Sequence, residues 1–216
     1  VKLIGGLGNQ LFQYATAKAV AIENNIEFKL DIRYCKNIKN WGVGKYLLDN
    51  FDIEENISKY KETCKLGGCV SFLFRLRRKL KLNPKRSKSY FPEKETCKYD
   101  KNIFKSKDMY LDGFWQHENY FKGIRHDLIK DFTIKNPLSD IVKMYKDRIS
   151  KTNSVALHVR NYTKDDANLE FSYGKPDIKY YKDAVDIMHS QLERPFFFIF
   201  SNDIVWCKEN LGFIEN

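Results

Sequence analysis

The stretches SVALHVR (residues 154–160) and PFFFIF (residues 195–200) decide the fold. Each is a short apolar run, and the second is unbroken, as is typical of a parallel strand covered on both faces. Apolar spacing predicts a helix between them, over residues 180–192, and a further helix over residues 204–210. The order strand, helix, strand, helix indicates a doubly wound α/β arrangement.

The chain begins with the same order of elements. Residues 1–4 (VKLI) form a predicted strand, residues 5–10 (GGLGNQ) a turn, and an Ala-rich helix comes next. The alternating run EFKLD (residues 27–31) predicts a second strand. We therefore predict an N-terminal α/β domain over residues 1–150 and a second domain over residues 151–216, which we expect to be incomplete in this chain.

The middle of the chain carries weaker signals. We predict a strand over residues 109–115 and amphipathic helices over residues 124–132 and 137–150. One more amphipathic helix is predicted over residues 70–82, where it ends near Pro84 because proline disfavours a continuing helix.

The composition excludes several classes of protein. Of the 216 residues, 43% are hydrophobic and 15% aromatic, which is enough apolar material for a core and excludes wholesale disorder. No apolar run approaches the ~20 residues that a membrane span needs. The first residues lack the basic and apolar regions of a signal peptide, so we expect a cytoplasmic protein.

The net charge of +10 is concentrated in one segment. Residues 75–88 (RLRRKLKLNPKRSK) hold eight Lys and Arg and no acid, so they supply +8 and leave +2 for the rest of the chain. A solvated helix and loop is the simplest interpretation. The alternation of leucines with basic residues also suits an anionic membrane surface, and we expect peripheral contact with the inner membrane there. We expect no nucleic-acid partner, because no nucleic-acid motif accompanies the segment.

The five cysteines do not form a metal motif. None belongs to a C-x-x-C pair, and no histidine lies at zinc-finger spacing from a pair of them. Free thiols in a reducing compartment are the favoured interpretation. A disulfide between Cys64 and Cys69 is the alternative for an exported protein.

The turn at residues 5–10 is the first candidate for binding. Glycines between a strand and a helix let a ligand approach the backbone, and a helix N-terminus favours anions. The spacing matches neither G-x-G-x-x-G nor a Walker A loop. The amides of Asn9 and Gln10 suit hydrogen bonds to sugar hydroxyls or phosphate oxygens, and the alternative is a tight structural turn.

The ends of the two C-terminal strands are the second candidate. His158 and Arg160 share a face of their strand and lie where α/β sheets bind ligands. A guanidinium beside an imidazole suits a diphosphate, and a solvated strand end is the alternative. Ser201 and Asp203 follow the neighbouring strand, where they either cap the next helix or face the same crevice as Arg160.

Together these motifs resemble the α-1,2-fucosyltransferases, the galactoside 2-fucosyltransferases of glycosyltransferase family 11. The match rests on GGLGNQLFQYA (residues 5–15), LDGFWQHENYF (residues 111–121), HVR (residues 158–160), YYKDAVDIM (residues 180–188) and FSNDIVWCKENL (residues 200–211). It covers most of the chain outside residues 35–105. The first and last motifs are the specific ones.

The resemblance implies an activity and a fold. The activity is an inverting, metal-independent transfer of L-fucose from GDP-fucose to the 2-hydroxyl of a galactoside, in the synthesis of surface polysaccharide or O-antigen. The implied partners are the donor GDP-fucose and an acceptor, which is a galactose-containing oligosaccharide either free or linked to a lipid. No cofactor and no metal are implied. The fold is GT-B-like, with two Rossmann-type domains facing a cleft.

The resemblance also assigns roles to residues. Arg160 would hold the β-phosphate of the leaving GDP, and His158 would support that contact. Asn9 would be the third catalytic residue. The donor would be bound by Gly6, Gly8, Gln10, Ser201 and Asp203. No D-x-D metal motif occurs in the chain.

The segment around Trp115 is the candidate acceptor site. Trp115 would stack on the acceptor sugar, and Gln116 and His117 would lie beside it. The alternatives are a core position for the tryptophan and a surface or capping position for the histidine. Inversion also needs a base for the acceptor hydroxyl, for which the candidates are Asp165, Asp166 and Glu170.

Two departures from the family pattern leave other functions open. In the relatives the arginine of H-x-R is followed by G-D-Y, whereas in this chain Arg160 is followed by NYTKDD (residues 161–166). This chain also ends before the family's third C-terminal motif. A non-catalytic fragment or pseudoenzyme is therefore an alternative. A basic membrane-binding module is another, and a protein O-fucosyltransferase is disfavoured because that activity needs a secretory location.

Overall fold

A computed structural model describes residues 1–35, 45–67, 87–105, 107–161 and 176–214. The chain divides into two compact units, Val1–Pro137 and Leu138–Asn216. The sequence placed the boundary near residue 150. The difference is one helix, Asp140–Ser150, which packs against the strand that follows it and so falls in the second unit.

Helices and strands alternate in the second unit as the sequence predicts, whereas the two short strands of the first unit follow one another along the chain. The helices are α1 (Leu7–Asn24), α2 (Tyr60–Gly67), α3 (Arg125–Asp131), α4 (Asp140–Ser150), α5 (Ile178–Gln191) and α6 (Ile204–Asn210). The strands are β1 (Tyr90–Pro92), β2 (Tyr110–Asp112), β3 (Asn153–Val159) and β4 (Pro195–Ser201). Each of the helices predicted beyond residue 120 is present, with bounds shifted by a few residues.

The second unit is built on one parallel pair of strands. β3 and β4 pair in register from Asn153 opposite Pro195 to Val159 opposite Ser201, and α5 connects them. One face of the pair is buried, with Leu157 and Val159 of β3 packed beside Tyr181 of α5. These contacts confirm the predicted strand–helix–strand unit.

The other face of this pair is less covered than an unbroken apolar strand predicts. Phe200 near the end of β4 is 52% exposed, and its partner His158 on β3 is also exposed. Phe196, at the opposite end of β4, is covered by the Arg148 guanidinium of α4 at 4.5 Å from its ring centroid. The exposed end of this face is therefore the carboxyl end of the strands.

The first unit contains a sheet made of very short pairings. β1 and β2 pair in parallel, and the Lys2 N–H donates to the Leu111 carbonyl at 2.9 Å, which extends the sheet to the start of the chain. Parallel bridges then join Lys2 to Asp31 and Leu30 to Ile57. The predicted strands at residues 1–4 and 27–31 therefore pair over only one or two residues each.

Helix α1 covers this sheet. Its inner face is formed by small and amide side chains, among them Gln10, Gln13 and Ala17, which are buried. Tyr14 is fully buried in the core beside Leu3 and Leu30. The helix ends at Asn25, which adopts the left-handed φ of +51° and donates its N–H to the Ala21 and Ile22 carbonyls.

Three predictions lie outside the described residues. They are the helix over residues 70–82, nearly all of the basic segment 75–88, and the candidate bases Asp165, Asp166 and Glu170. Among the helices that the structure does describe, none is both long enough and apolar enough to cross a bilayer.

Candidate functional site

The carboxyl end of β3 brings the two residues of the H-x-R pair together. His158 is the next-to-last residue of β3, and Arg160 follows the strand directly. Both are exposed, whereas Leu157 and Val159, which alternate with them, are buried on the opposite face. This edge is where parallel α/β sheets bind their ligands.

The residue after Arg160 is tied to the loop that follows β4. The Asn161 N–H donates to Asn202 Oδ1 at 3.0 Å, and Asn202 Nδ2 donates to the Asn161 carbonyl at 2.6 Å. Asn161 Nδ2 also donates to Asp203 Oδ2 at 2.9 Å. These three bonds lock the two strand ends to each other and fix the backbone that carries Arg160.

Ser201 and Asp203 form the cap of the next helix. Asp203 Oδ1 accepts the Trp206 N–H at 3.0 Å in the first turn of α6, and the Asp203 N–H donates to Ser201 Oγ at 2.9 Å. The capping alternative is thus what the structure shows. Because Ser201 is paired with Val159, the same loop also lies at the edge that carries Arg160.

The glycine turn of the first unit is built around Asn9. Gly5 has a φ of +78°, which favours glycine, and a Cβ there would lie 2.3 Å from Asn9 Nδ2. Gly6 is the N-cap of α1 and gives no side-chain cap, so the first backbone N–H groups, including that of the exposed Gly8, have no partner within the helix. Asn9 Oδ1 accepts a hydrogen bond from Gln116 Nε2 at 2.7 Å.

Gln10 does not share this position, which corrects the prediction that it binds the donor. Its side chain is fully buried, with Nε2 donating to the Gly5 and Lys45 carbonyls and Oε1 accepting the Leu47 N–H. Its amide is therefore satisfied within the protein. Successive helix residues point about 100° apart, so Asn9 remains half-buried at the turn while Gln10 faces the core.

The turn after β2 is held by Glu93, which follows β1. Glu93 Oε2 accepts the Phe114 N–H at 2.7 Å, and Oε1 accepts the Trp115 N–H at 3.1 Å. Trp115 adopts a left-handed φ of +59°, so the strand predicted over residues 109–115 ends at Asp112. The next residue, Gln116, is thereby positioned to reach Asn9.

Trp115 and His117 occupy different environments from those predicted for acceptor contact. Trp115 is fully buried and packs against Phe91 and Tyr120, so its ring has no exposed face for stacking on a sugar. His117 Nδ1 accepts the Asn119 N–H at 3.2 Å and caps a short 3₁₀ turn, the alternative proposed for it. Of the three predicted acceptor residues, Gln116 alone contacts Asn9.

Four contributors to these sites were not singled out from the sequence. Gln13 donates to the Gly113 carbonyl and accepts the Ile4 N–H, so it ties the two turns together. Glu93, Asn161 and Asn202 act through contacts with residues 21 or more positions away. Gln13 shares an inner helical face with Gln10, a periodicity that could have found it; the other three have no local signal.

The described residues offer no evident metal site. No group of three or more His, Cys, Asp or Glu side chains in those ranges could hold an ion. Of the cysteines within them, Cys35, Cys97 and Cys207 are free thiols. Burial raises the pKa of Cys35 to about 11, so that thiol is protonated and unreactive at neutral pH.

Comparison with known proteins identifies the family. The sequence profile of Glycosyl transferase family 11 matches residues 71–216. The chain is also similar to an alpha-1,2-colitosyltransferase of Escherichia coli, with 34% identity over 211 residues, which cover 96% of this chain and 70% of the relative. No solved structure matches the chain. The chain therefore belongs to glycosyl transferase family 11 and is a glycosyltransferase that acts on a sugar acceptor.

Proposed function

We propose that the protein transfers L-fucose from GDP-fucose to the 2-hydroxyl of a galactoside, with inversion and without a metal ion. The observation that carries this proposal is the exposed pair His158 and Arg160 at the carboxyl end of β3. The fixed loop from Ser201 to Asp203 lies at the same edge and supports a nucleotide-sugar site there. The family motifs quoted above add the identity of the sugar.

The proposed step moves one glycosyl group. The bond between C1 of fucose and the β-phosphate oxygen breaks, and a bond between C1 and the acceptor oxygen forms on the opposite face. Arg160 holds the charge that develops on the departing GDP, and His158 donates a further hydrogen bond to the diphosphate. The acceptor proton goes to a base, for which Asp165, Asp166 and Glu170 remain the candidates.

The first unit supplies the residues proposed to bind the acceptor and some of those proposed to bind the donor. The Asn9 amide, oriented by Gln116, hydrogen-bonds the reacting sugars. Gly6 and Gly8 let a ligand approach the N-terminus of α1, and a Cβ at Gly8 meets no atom of the protein within 4 Å. Gln10 takes no direct part, because its amide is satisfied in the core.

The test uses Arg160→Ala with Arg125→Ala as its control. Arg125 is an exposed arginine on α3, in the other unit. At a GDP concentration of about 100 Kd, we expect GDP to raise the Tm of the wild type and of Arg125→Ala by roughly 5 to 10 °C. Arg160→Ala should lose this shift and at least about 10²-fold in kcat. A GDP response that survives in Arg160→Ala contradicts the assignment.

A second donor is favoured by the similarity to the colitosyltransferase. Colitose is L-fucose without its 3-hydroxyl, so a site for one sugar needs little change to accept the other. Assays with GDP-fucose and GDP-colitose as competing donors decide between them. A kcat/KM at least about tenfold higher for one donor, near 1.4 kcal/mol of discrimination, identifies the substrate.

Two further proposals concern the setting of the reaction. We propose a cytoplasmic enzyme that glycosylates a lipid-linked oligosaccharide of a surface polysaccharide. Residues 75–88 hold this enzyme at the inner membrane.

We also propose the GT-B-like arrangement of two Rossmann-type domains, which small-angle scattering with and without GDP would test. GDP binding without any transfer would instead favour the non-catalytic alternative.

A further inference from the structure

A buried glutamine of α1 connects the two turns of the candidate site in the first unit. Gln13 is fully buried, and both ends of its side-chain amide are hydrogen-bonded. Its Nε2 donates to the Gly113 carbonyl at 3.1 Å, at the start of the turn that follows β2. Its Oε1 accepts the Ile4 N–H at 3.0 Å, immediately before the glycine turn at residues 5–10. One side chain therefore fixes the backbone of both turns.

The backbone next to each of these bonds has an unusual conformation. Gly5, which follows Ile4, has a left-handed φ of +78°. Trp115, two residues after Gly113, has a left-handed φ of +59°, a conformation that a residue with a side chain keeps only where its surroundings hold it. Glu93 supplies one of these holding contacts through the Trp115 N–H, and the bond from Gln13 holds the same turn at its start.

The two turns also meet directly, through the side chains of Asn9 and Gln116. Gln116 Nε2 donates to Asn9 Oδ1 at 2.7 Å, across 107 positions of sequence. Asn9 and Gln13 are four residues apart on α1, so their side chains lie on the same face of the helix. The bond from Gln13 to Gly113 is therefore about one helical turn from the bond between Asn9 and Gln116. A displacement of the turn that broke the first bond would carry Gln116 away from Asn9.

The bond from Gln116 decides which group of Asn9 is offered to a ligand. A side-chain amide has a carbonyl oxygen that accepts and an NH₂ group that donates. Because Asn9 Oδ1 accepts from Gln116, Asn9 Nδ2 is the group that remains to donate to a sugar oxygen. Loss of the contact with Gln116 would let the Asn9 amide rotate and place its carbonyl oxygen there instead. The orientation of Asn9 thus depends on the turn that Gln13 holds.

The partners of Gln13 distinguish it from its neighbour on the inner face of α1. Gln10 is also fully buried, and it donates to the Gly5 carbonyl, but its other two partners are Lys45 and Leu47. Those two residues lie in a segment without any proposed site residue. Both partners of Gln13 border turns that carry proposed site residues. The location of its partners, and not its burial, therefore points to a role in the reaction.

We propose that Gln13 is a positioning residue for the transfer reaction. It holds the turn after β2 against α1, so that Gln116 keeps the Asn9 amide in the orientation that donates to the reacting sugar. Gln13 contacts no substrate and acts through Gln116 and Asn9. The proposal rests on the proposed function in one respect, the contact of Asn9 with that sugar.

The variants remove the bonds of Gln13 or one comparable bond elsewhere. Gln13→Met keeps the length of the side chain and loses both bonds. Gln13→Glu, which keeps the acceptor for the Ile4 N–H, takes its place if Gln13→Met does not fold. The matched control is Thr63→Val, which removes the bond from the buried Thr63 Oγ1 to the Tyr60 carbonyl at 2.9 Å, in α2 of the same unit.

The first test observes the Gln116 amide directly. In a ¹⁵N-labelled sample of the protein, the side-chain NH₂ of Gln116 gives its own pair of NMR signals, which Gln116→Ala assigns. We expect Gln13→Met to move these signals towards the position of a glutamine in water, because Gln116 loses its bond to Asn9. Thr63→Val should leave them in place.

The second test is a double-mutant cycle on activity, with GDP-fucose and methyl β-galactoside as substrates. Gln13→Met and Gln116→Ala should each lower kcat/KM by at least about tenfold, because small misplacements of a positioned group are costly. The double variant should stay within about twofold of the less active single variant, because both changes break the same contact. Thr63→Val should stay within about twofold of the wild type. A merely structural role of Gln13 would instead multiply the two losses, to about a hundredfold or more.

The outcomes separate this proposal from the proposed function. Unchanged Gln116 signals in Gln13→Met overturn the positioning role, whether or not fucose is transferred. Losses that multiply in the double variant also overturn it, as does a Gln116→Ala variant with full activity. If the Gln116 signals move but GDP-fucose supports no transfer by the wild type, the hold of Gln13 on Gln116 stands and the proposed function is wrong.

Discussion

The turn that positions Gln116 depends on the small size of Gly113. A Cβ at this position would lie 2.3 Å from Glu93 Cβ and 3.1 Å from Trp115 Cε2, far closer than side chains normally approach. The glycine therefore lets the Glu93 carboxylate reach the Phe114 and Trp115 N–H groups. Substitution would push Glu93 away and release the turn that positions Gln116.

We predict that Gly113→Ala lowers the free energy of unfolding by about 1–3 kcal/mol, the usual cost of an overpacked site. Gly123→Ala is the matched control, because a Cβ there meets no atom within 4 Å. That change should stay within about 0.5 kcal/mol of the wild type. Urea denaturation measures both, and equal stabilities for the two variants would contradict the tight approach at Gly113.

Asn9 and Gln10 show which features of the candidate site the sequence can predict. Asn9 and Gln10 look equivalent as adjacent amides, yet one borders the turn and the other is buried. The helical spacing of Gln10, Gln13 and Tyr14 carried the information that separates them, because all three lie on the inner face. Glu93 gave no such signal, because its partners are 21 and 22 residues away in the sequence.

At the scale of elements, the sheet of the first unit depends on one buried carboxylate. Asp31 accepts hydrogen bonds from the Arg33 side chain at 2.7 and 2.8 Å and from the Tyr110 hydroxyl at 2.6 Å. Burial alone would raise the pKa of Asp31, but the bonds from Arg33 and Tyr110 lower it overall. The carboxylate thus connects the strand at residue 31 to β2.

We predict that Tyr110→Phe lowers the free energy of unfolding by about 1–3 kcal/mol at neutral pH, because it removes a donor to a buried charge. The pKa of Asp31 is depressed in the folded state, so this stabilisation is complete above about pH 4 and is lost as the pH falls through the folded-state pKa. Wild type and variant should therefore converge in acid. Thermal unfolding between pH 2.5 and 7 tests this, with Tyr180→Phe as an exposed control. A difference in stability between the wild type and Tyr110→Phe that widens in acid would contradict it.

Elements differ in how well the sequence predicted them. β3, α5, β4 and α6 follow from periodicity and length, since each spans seven or more residues. The strand over residues 109–115 was predicted too long, because Trp115 takes a left-handed conformation held by a residue that follows a different strand. The sequence placed the boundary of the units at residue 150 because it did not reveal that α4 packs on β3.

For the molecule as a whole, the net charge divides the chain into a nearly neutral body and the basic segment 75–88. We predict that the protein sediments with vesicles containing anionic lipid and not with neutral vesicles. Binding should weaken steeply between 50 and 200 mM salt, because charge attraction to the surface is screened. A triple variant of the basic segment, with Arg77, Arg78 and Lys79 changed to Glu, should lose vesicle binding. The control makes the same change of charge on and just after α4, with Lys143, Lys146 and Lys151 changed to Glu, and it should still bind. Salt-independent binding would contradict the electrostatic account.

The central claim is that the polar strand ends of this family 11 chain serve a transfer of fucose. The most direct measurement incubates the protein with GDP-fucose and a β-galactoside, then quantifies released GDP and determines the linkage of the product by NMR. We predict one GDP for each new α-L-fucosyl group on the 2-hydroxyl, and a kcat at least about 10²-fold lower in Arg160→Ala. A product linked elsewhere, or no fucosylated product from an enzyme that binds GDP, would contradict it.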